Sequence, residues 1–232
     1  VISIKKVEKV EKNDSDIKFN PVNPVKPLNV RFPIVGIGAS AGGLAAFEAF
    51  FAGMPANKDI DMAFVLVQHL APSHKSMLTE LLQRFTTRPV FEVVDGMIVK
   101  PNCVYIMPPD RDMAFINGSL QLLEPVLPRG HRFPIDFLFR SLAQDLNEHA
   151  ICIILSGTGS DGTLGLREIK NAGGMVMVES LKSCEFDAMP KNAIDTGLAD
   201  YQMSAVDMPA QLLDHAKQVL SQPKTTTTDP QV

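Results

Sequence analysis

The sequence predicts an α/β fold, with a doubly wound, mostly parallel sheet, helices on both faces and an added β-hairpin. Three observations predict it. Short apolar runs alternate with helical segments along most of the chain. The strand-like runs are apolar nearly throughout, as in parallel strands that are covered on both faces. The 232 residues are enough to bury one sizeable core of this kind.

The predicted elements follow one another from residue 32 to residue 219. The predicted strands are Phe32–Ile37, Met62–Val67, Val90–Val94, Cys103–Met107, Ala150–Leu155 and Met175–Val178. The predicted helices are Leu44–Met54, Lys75–Phe85 behind the candidate cap Ser73, Ile135–Leu146, Leu164–Asn171 and Met208–Val219. Between two short apolar runs, Asn117-Gly118 predicts a hairpin, because these residue types adopt the positive φ values of a tight turn.

The two ends of the chain differ in composition from the rest. Residues 1–30 are rich in charged residues, Asn and Pro and predict a flexible leader. Residues 221–232 predict a flexible tail or linker, so the folded domain is expected at 31–220. The Thr- and Pro-containing tail is typical of a linker, which indicates one module of a longer protein.

Composition disfavours several classes of function. A net charge of -4 argues against a dedicated nucleic-acid-binding protein, which would carry a basic face. The three cysteines are far apart and predict free thiols in a reducing, cytoplasmic compartment. Residues 34–56 are apolar except for Glu48, but their glycines and their change from strand to helix period argue against membrane insertion. With no cluster of candidate ligands, we expect neither a metal nor another cofactor.

The first motif after a predicted strand is Gly36-Ile37-Gly38-Ala39-Ser40-Ala41-Gly42. It fits G-x-S-x-G, a nucleophile elbow in which small neighbours let a serine project at a helix N-terminus. The free backbone N–H of Ala41 would then stabilise an oxyanion. The same residues fit a dinucleotide-binding loop with Ser40 as a helix cap, or a glycine-rich turn without chemistry. This motif alone leaves all three interpretations open.

Two further motifs favour the hydrolase. The second strand ends in Gln68-His69, where a dinucleotide-binding unit would carry an acid for the ribose. The segment Ser156–Gly162 fits G-x-G-x-x-G, and Glu179 follows at the distance expected of a ribose-binding acid. However, Asp161 in that loop would repel a pyrophosphate. Because ligands bind beyond the carboxyl ends of parallel strands, Ser40, His69 and Asp161 are predicted to meet there as nucleophile, base and orienting acid.

The same motifs, together with Arg132–Asp136 and Phe186–Pro190, resemble the catalytic domain of the CheB-type chemoreceptor protein-glutamate methylesterases. The resemblance covers roughly residues 32–215. It implies a serine esterase without cofactor, with Ser40, His69 and Asp161 as its triad and the backbone N–H groups of Ala41 and Thr158 as its oxyanion hole. Thr158 stands where many members have Met, a difference that a backbone role tolerates.

The resemblance also implies substrate and partners. The expected substrate is a glutamyl methyl ester, or a glutamine, on the helical cytoplasmic region of a chemoreceptor or similar signalling protein. The segment from Ser156 to Leu166 is closest to esterase domains that precede a methyltransferase domain, which predicts such a domain downstream. Arg132 is a candidate for binding a substrate carboxylate, although a solvated loop residue explains it equally well. A nucleotide-binding oxidoreductase and a catalytically silent regulatory module remain alternatives.

Overall fold

A seven-stranded parallel sheet forms the centre of the molecule. The computed structural model describes residues 32–55, 60–69, 77–128 and 131–221. In chain order the sheet strands are β1 (Ile34–Ala39), β2 (Ala63–Gln68), β3 (Val90–Glu92), β5 (Val104–Ile106), β8 (Ala150–Ile154), β9 (Met175–Glu179) and β10 (Tyr201–Met203). Their spatial order is β10-β9-β8-β1-β2-β5-β3, and every neighbouring pair is parallel.

Helices cover both faces of this sheet, as the sequence predicts. The helices are α1 (Gly43–Ala52), α2 (Met77–Phe85), α3 (Pro134–Leu146), α4 (Thr163–Asn171), α5 (Ala188–Ile194) and α6 (Met208–Ser221). One apolar core joins the sheet to α3, α4 and α5, and a second joins its other face to α1, α2 and α6. Alternate residues of β1 enter the two cores, Ile34 the first and Val35 the second. The doubly wound fold is therefore confirmed.

The predicted hairpin is also confirmed and belongs to a second, antiparallel sheet. Its strands are β4 (Met97–Ile98), β6 (Asp112–Ile116) and β7 (Ser119–Leu123), in the spatial order β4-β7-β6. The two-residue turn holds Asn117 at φ 49° and Gly118 at φ 82°, the positive values of a primed turn. The hairpin packs on α3, where the hydroxyl of Ser141 accepts from Phe115 N–H at 2.9 Å.

Some boundaries and elements differ from the sequence prediction. Strand β1 extends to Ala39, two residues beyond the predicted end, and β3 ends at Glu92 instead of Val94. The elements β4, α5 and β10 were not predicted, because each is at most seven residues long and has no clear hydrophobic period. Pro190 is tolerated in the first turn of α5, where a backbone N–H would have no partner within the helix.

Several sequence predictions lie outside the described residues. These are the flexible leader, nearly all of the predicted tail, the cap Ser73 and the first residues of the helix predicted to begin at Lys75. Among the described residues Cys103 and Cys152 are buried and Cys184 is half-buried, and all three are free thiols. No helix within the described ranges is long and apolar enough to cross a membrane.

Candidate active site

Strand order brings the predicted catalytic segments together at one edge of the sheet. Strand β1 lies between β2 and β8, and Ala39 pairs with Gln68 across β1 and β2. The residues that follow these strands, Ser40 and His69, therefore emerge side by side. Between β1 and β8 the strand order reverses, and the crevice at such a point is where α/β proteins bind ligands.

Ser40 occupies a tight turn between β1 and α1. Gly42 caps α1 at a φ of 72°, a left-handed conformation that costs glycine little. The Ser40 N–H donates to the Ser156 carbonyl at 3.0 Å, and the Ser40 carbonyl accepts from Gly43 N–H at 3.0 Å. The Ser40 residue is 9% exposed. The turn thus holds Ser40 through its backbone and leaves its hydroxyl for chemistry.

His69 and Asp161 form a hydrogen-bonded pair. The distance from His69 Nε2 to Asp161 Oδ2 is 2.8 Å. The imidazole is about one-third exposed, whereas the carboxylate is only 3% exposed. Because Nε2 faces the carboxylate, Nδ1 is the ring nitrogen that remains to receive a proton from a nucleophile. No hydrogen bond joins the side chains of Ser40 and His69 among the described residues, and such contacts often tighten only when substrate binds.

The N-terminus of α3 holds the Asp161 carboxylate in place. Its Oδ2 accepts from Ile135 N–H at 3.0 Å, and its Oδ1 accepts from Asp136 N–H at 2.9 Å and Gly162 N–H at 2.8 Å. The first N–H groups of a helix have no partners inside it and carry the positive end of the helix dipole. They compensate the charge of the buried carboxylate and orient it toward His69.

The backbone N–H groups of Ala41 and Thr158 are the donors assigned to the oxyanion hole. Within the described part of the chain, the N–H groups of Ala41 and Thr158 donate to no other residue. Ala41 directly follows Ser40, and Gly157, the residue before Thr158, packs against it: a Cβ on Gly157 would lie 2.9 Å from Ser40 Cβ. Both donors therefore belong to segments in contact with the candidate nucleophile, as stabilisation of a developing oxyanion requires.

A cavity of about 340 Å³ opens beside the His69–Asp161 pair. Thr158 and Arg132 line it together with that pair, whereas Ser40 and Ala41 are not among its lining residues. Arg132 Nη2 lies 3.8 Å from Asp110 Oδ1. Burial raises the pKa of the nearby Asp112 carboxyl, and the positive charge of Arg132 opposes that rise. Arg132 is thus a partly buried cation in the wall of this cavity, which also carries carboxylates.

Asp136 is a buried acid in the segment Arg132–Asp136, and its sequence pattern gives no sign of its role. Its carboxylate is 3% exposed and accepts from Gly165 N–H, in the first turn of α4, at 2.6 Å. Helices α3 and α4 are thereby capped reciprocally, since Asp161 precedes α4 and binds the first turn of α3. Burial raises the pKa of Asp136 from 3.8 to about 6; the Gly165 hydrogen bond opposes this, and the charge of Asp161 adds to it.

The raised pKa of Asp136 predicts a specific pH dependence of stability. The folded protein binds this proton more tightly than the unfolded chain, so the free energy of unfolding falls as pH rises from about 4 through 6. A rise of the Asp136 pKa from 3.8 to about 6 corresponds to a change of about 3 kcal/mol in the free energy of unfolding. Asp136→Asn keeps an acceptor for Gly165 N–H but does not titrate, so wild-type stability relative to this variant should fall by up to this amount between pH 4 and pH 7. Urea unfolding across that range measures it, with exposed Asp214→Asn as the control; parallel curves for wild type and Asp136→Asn contradict it.

Glu179, which fits the ribose-binding position of a dinucleotide motif, has a different role. Its carboxylate is 3% exposed and accepts from Ser156 N–H at 2.8 Å. The Glu179 carboxylate therefore binds a backbone group of the protein and does not face a ligand. Within the described ranges no three His, Cys, Asp or Glu side chains converge as a metal site would require.

Comparison with known proteins assigns the chain to a family. A model of the CheB methylesterase family matches residues 35–212. A protein-glutamate methylesterase/protein-glutamine glutaminase of Photorhabdus laumondii is 33% identical over 81% of this chain and 54% of its own length. A protein of the same name from Oceanobacillus iheyensis is 36% identical over 78% of this chain and 52% of its own length.

The crystal structure of the Thermotoga maritima CheB methylesterase catalytic domain superimposes with a TM-score of 0.74 at 32% identity. The superposition covers 80% of this chain and all of that domain. The chain spans about half the length of the curated relatives that it matches. The likeness therefore concerns a catalytic domain and its fold.

Proposed function

The chain belongs to the CheB methylesterase family, and we propose that its folded domain, residues 31–220, hydrolyses methyl esters of glutamate side chains to glutamate and methanol. The observation that carries the proposal is the His69–Asp161 hydrogen bond at the strand ends beside Ser40. The alternative of a nucleotide-binding oxidoreductase has no comparable support, because Glu179 and Asp161 both bind backbone N–H groups of the protein.

In the proposed mechanism the Ser40 hydroxyl attacks the ester carbonyl while His69 Nδ1 accepts its proton. The backbone N–H groups of Ala41 and Thr158 stabilise the tetrahedral oxyanion. Asp161 holds the imidazole and stabilises its protonated form. The oxyanion then collapses to an acyl-enzyme, and His69 returns the proton to the departing methoxide, which leaves as methanol. Water, deprotonated by His69, attacks the acyl-enzyme; the bond to Ser40 Oγ breaks, His69 returns the proton to that oxygen, and glutamate is released.

The same machinery suits glutamine side chains, for which the leaving group is ammonia. The relatives' names pair a methylesterase with a glutaminase, and this supports deamidation as a second reaction at the same site. Both substrates have a neutral carbonyl carbon at the same distance from the peptide backbone. We therefore expect one site to serve both reactions.

The proposed substrate protein is a methylated chemoreceptor or a similar cytoplasmic signalling protein. The relatives' names support a protein-bound glutamyl ester rather than a small ester. The resemblance of the segment from Ser156 to Leu166 to fused esterases supports a methyltransferase domain downstream in the full-length protein. A cytoplasmic location, without nucleic acid or membrane insertion, follows from this proposal.

Release of methanol tests the function directly. A receptor cytoplasmic fragment carrying radiolabelled glutamyl methyl esters is incubated with the protein, and volatile radioactivity is counted. We expect methanol release, and stoichiometric labelling of the protein by a serine-reactive phosphonate. A catalytically silent module would give neither, and labelling without methanol release would show that this fragment is not a substrate.

We propose that Arg132 binds a carboxylate of the substrate next to the ester. Its position in the cavity wall and its incomplete pairing with Asp110, at 3.8 Å, support this role. Arg132→Ala should raise KM about tenfold, the loss of one charge-assisted contact, while kcat changes less. Steady-state assays with the receptor fragment measure the two constants. Arg167→Ala, at an exposed position of α4, is the control, and an unchanged KM for Arg132→Ala contradicts the role.

A further inference from the structure

Ser156 is a buried serine whose polar groups all connect segments of the candidate site. It lies two residues beyond the end of β8 and is 1% exposed. Its carbonyl accepts from Ser40 N–H at 3.0 Å, and its N–H donates to the buried Glu179 carboxylate at 2.8 Å. The inference drawn from it rests on the proposed function.

The Ser156 hydroxyl bridges two loops. It donates to the Ala41 carbonyl at 3.0 Å and accepts from Phe186 N–H at 2.9 Å. The Phe186 carbonyl, at 3.4 Å, is the more distant acceptor, and the single hydroxyl proton serves the nearer one. Phe186 O in turn accepts from Gly157 N–H at 3.0 Å, so the loop before α5 is tied to the same strand end.

The nucleophile turn is shaped to admit this bridge. A Cβ on Gly42 would lie 2.7 Å from Ser156 Oγ, closer than real contacts allow. Gly42 thus lets the hydroxyl reach the Ala41 carbonyl, in addition to taking the positive φ that the turn needs. Any larger residue at position 42 would separate the two segments.

We propose that Ser156, held by Glu179, is a positioning residue that sets the separation between the two oxyanion-hole donors, Ala41 N–H and Thr158 N–H. Ser156 is hydrogen-bonded to the Ala41 carbonyl and lies two residues before Thr158 in the chain. It therefore connects the two donors through one hydrogen bond and a short stretch of backbone. Oxyanion donors act only within a narrow range of distance to the reacting oxygen. A hydroxyl that fixes this geometry contributes in the transition state and little in substrate binding.

Ser156→Ala tests the proposal against a matched serine. Ser141 is equally buried, donates to the Leu138 carbonyl at 2.7 Å and accepts from Phe115 N–H, but lies on α3 against the hairpin. Ser156→Ala should lower kcat about 10- to 100-fold, the cost of misplaced catalytic groups, with KM within about twofold. Ser141→Ala should leave kcat within about twofold while losing a similar amount of stability. Equal kcat values for the two variants, or a change in KM alone for Ser156→Ala, overturn the proposal.

Glu179 supplies a second comparison. Glu179→Gln retains an oxygen acceptor for Ser156 N–H and should keep kcat within about threefold, whereas Glu179→Ala should lower kcat roughly as Ser156→Ala does. Burial raises the pKa of the Glu179 carboxyl, and the Ser156 hydrogen bond opposes the rise, which is consistent with a constrained acceptor. Equal activity of the Gln and Ala variants would count against a positioning role.

Amide hydrogen exchange separates this inference from the proposed function. Ser156→Ala removes the hydroxyl that accepts from Phe186 N–H, so exchange at Phe186 should accelerate at least tenfold, and Ser141→Ala should leave it unchanged. This readout does not depend on turnover. If the wild-type protein cleaves no ester, the proposed function fails, but amide exchange still tests whether the Ser156 hydroxyl bridges the two loops. Unchanged amide exchange in Ser156→Ala would overturn this bridge, whatever the esterase activity.

Discussion

Ser40→Ala is expected to lower the rate of ester hydrolysis by about 10⁴-fold or more, to the level left by binding and the oxyanion donors alone. The substitution removes only the hydroxyl oxygen that would form the acyl-enzyme. The backbone bonds from Ser40 to Ser156 and Gly43 are unaffected, and Cβ keeps its contact with Gly157. We therefore expect loss of activity without loss of fold.

The measurement pairs methanol release with thermal unfolding. The melting temperature of Ser40→Ala should stay within about 2 °C of wild type, since the Ser40 hydroxyl makes no hydrogen bond to any of the residues that the structure describes. Ser160→Ala is the matched control, because Ser160 is an exposed serine that lines the adjacent cavity. Ser160→Ala should retain activity and phosphonate labelling. If phosphonate labelling survives in Ser40→Ala and disappears in Ser160→Ala, the nucleophile is Ser160 and the assignment to Ser40 is wrong.

Asp161→Asn is expected to lower kcat by about 10⁴-fold and to destabilise the protein as well. Among the described residues, the four groups that hydrogen-bond to this carboxylate are all donors: three backbone N–H groups and His69 Nε2. An asparagine amide would point its own N–H groups at two of them in either orientation. With the amide nitrogen in the place of Oδ2 the imidazole would lose its acceptor, and in either orientation the first turn of α3 would lose one of its two acceptors.

The destabilisation should amount to about 1–3 kcal/mol, as for buried donors left without a partner. Urea unfolding measures it alongside kcat. Asp200→Asn is the control, because the Asp200 carboxylate also accepts from a backbone N–H, that of Val176 at 2.8 Å, but lies at the opposite ends of the strands. Asp200→Asn should lose stability and keep its activity. An Asp161→Asn variant with wild-type kcat would exclude Asp161 as the orienting acid.

Much of the candidate site can be predicted from sequence because its residues stand in local motifs. Ser40, His69 and Asp161 each follow an apolar strand, and the rule that ligands bind at the carboxyl ends of parallel strands joins them without a structure. The separate roles of the two imidazole nitrogens could not be predicted in this way. They depend on which nitrogen faces Asp161, which only the orientation of the side chains decides.

The supporting residues were missed for a common reason. Asp136, Ser156 and Glu179 act through hydrogen bonds to backbone groups that lie 23 or more residues away. In sequence, Glu179 even fitted a ribose-binding position, because spacing alone does not show whether a carboxylate faces a ligand or an N–H of the loop that follows the neighbouring strand. Burial, together with the partner's identity, decides between these roles.

The doubly wound α/β class, the Asn117-Gly118 hairpin and the three strand-end motifs can all be read from the sequence, because hydrophobic period and turn chemistry are local properties. The three-dimensional structure was needed to show that Asp161 caps α3, that Asp136 caps α4 and that Ser156 bridges the Ala41 and Phe186 segments. Those contacts depend on how the helices pack on the sheet. Packing between segments that are distant in the chain produces no periodic pattern in the sequence.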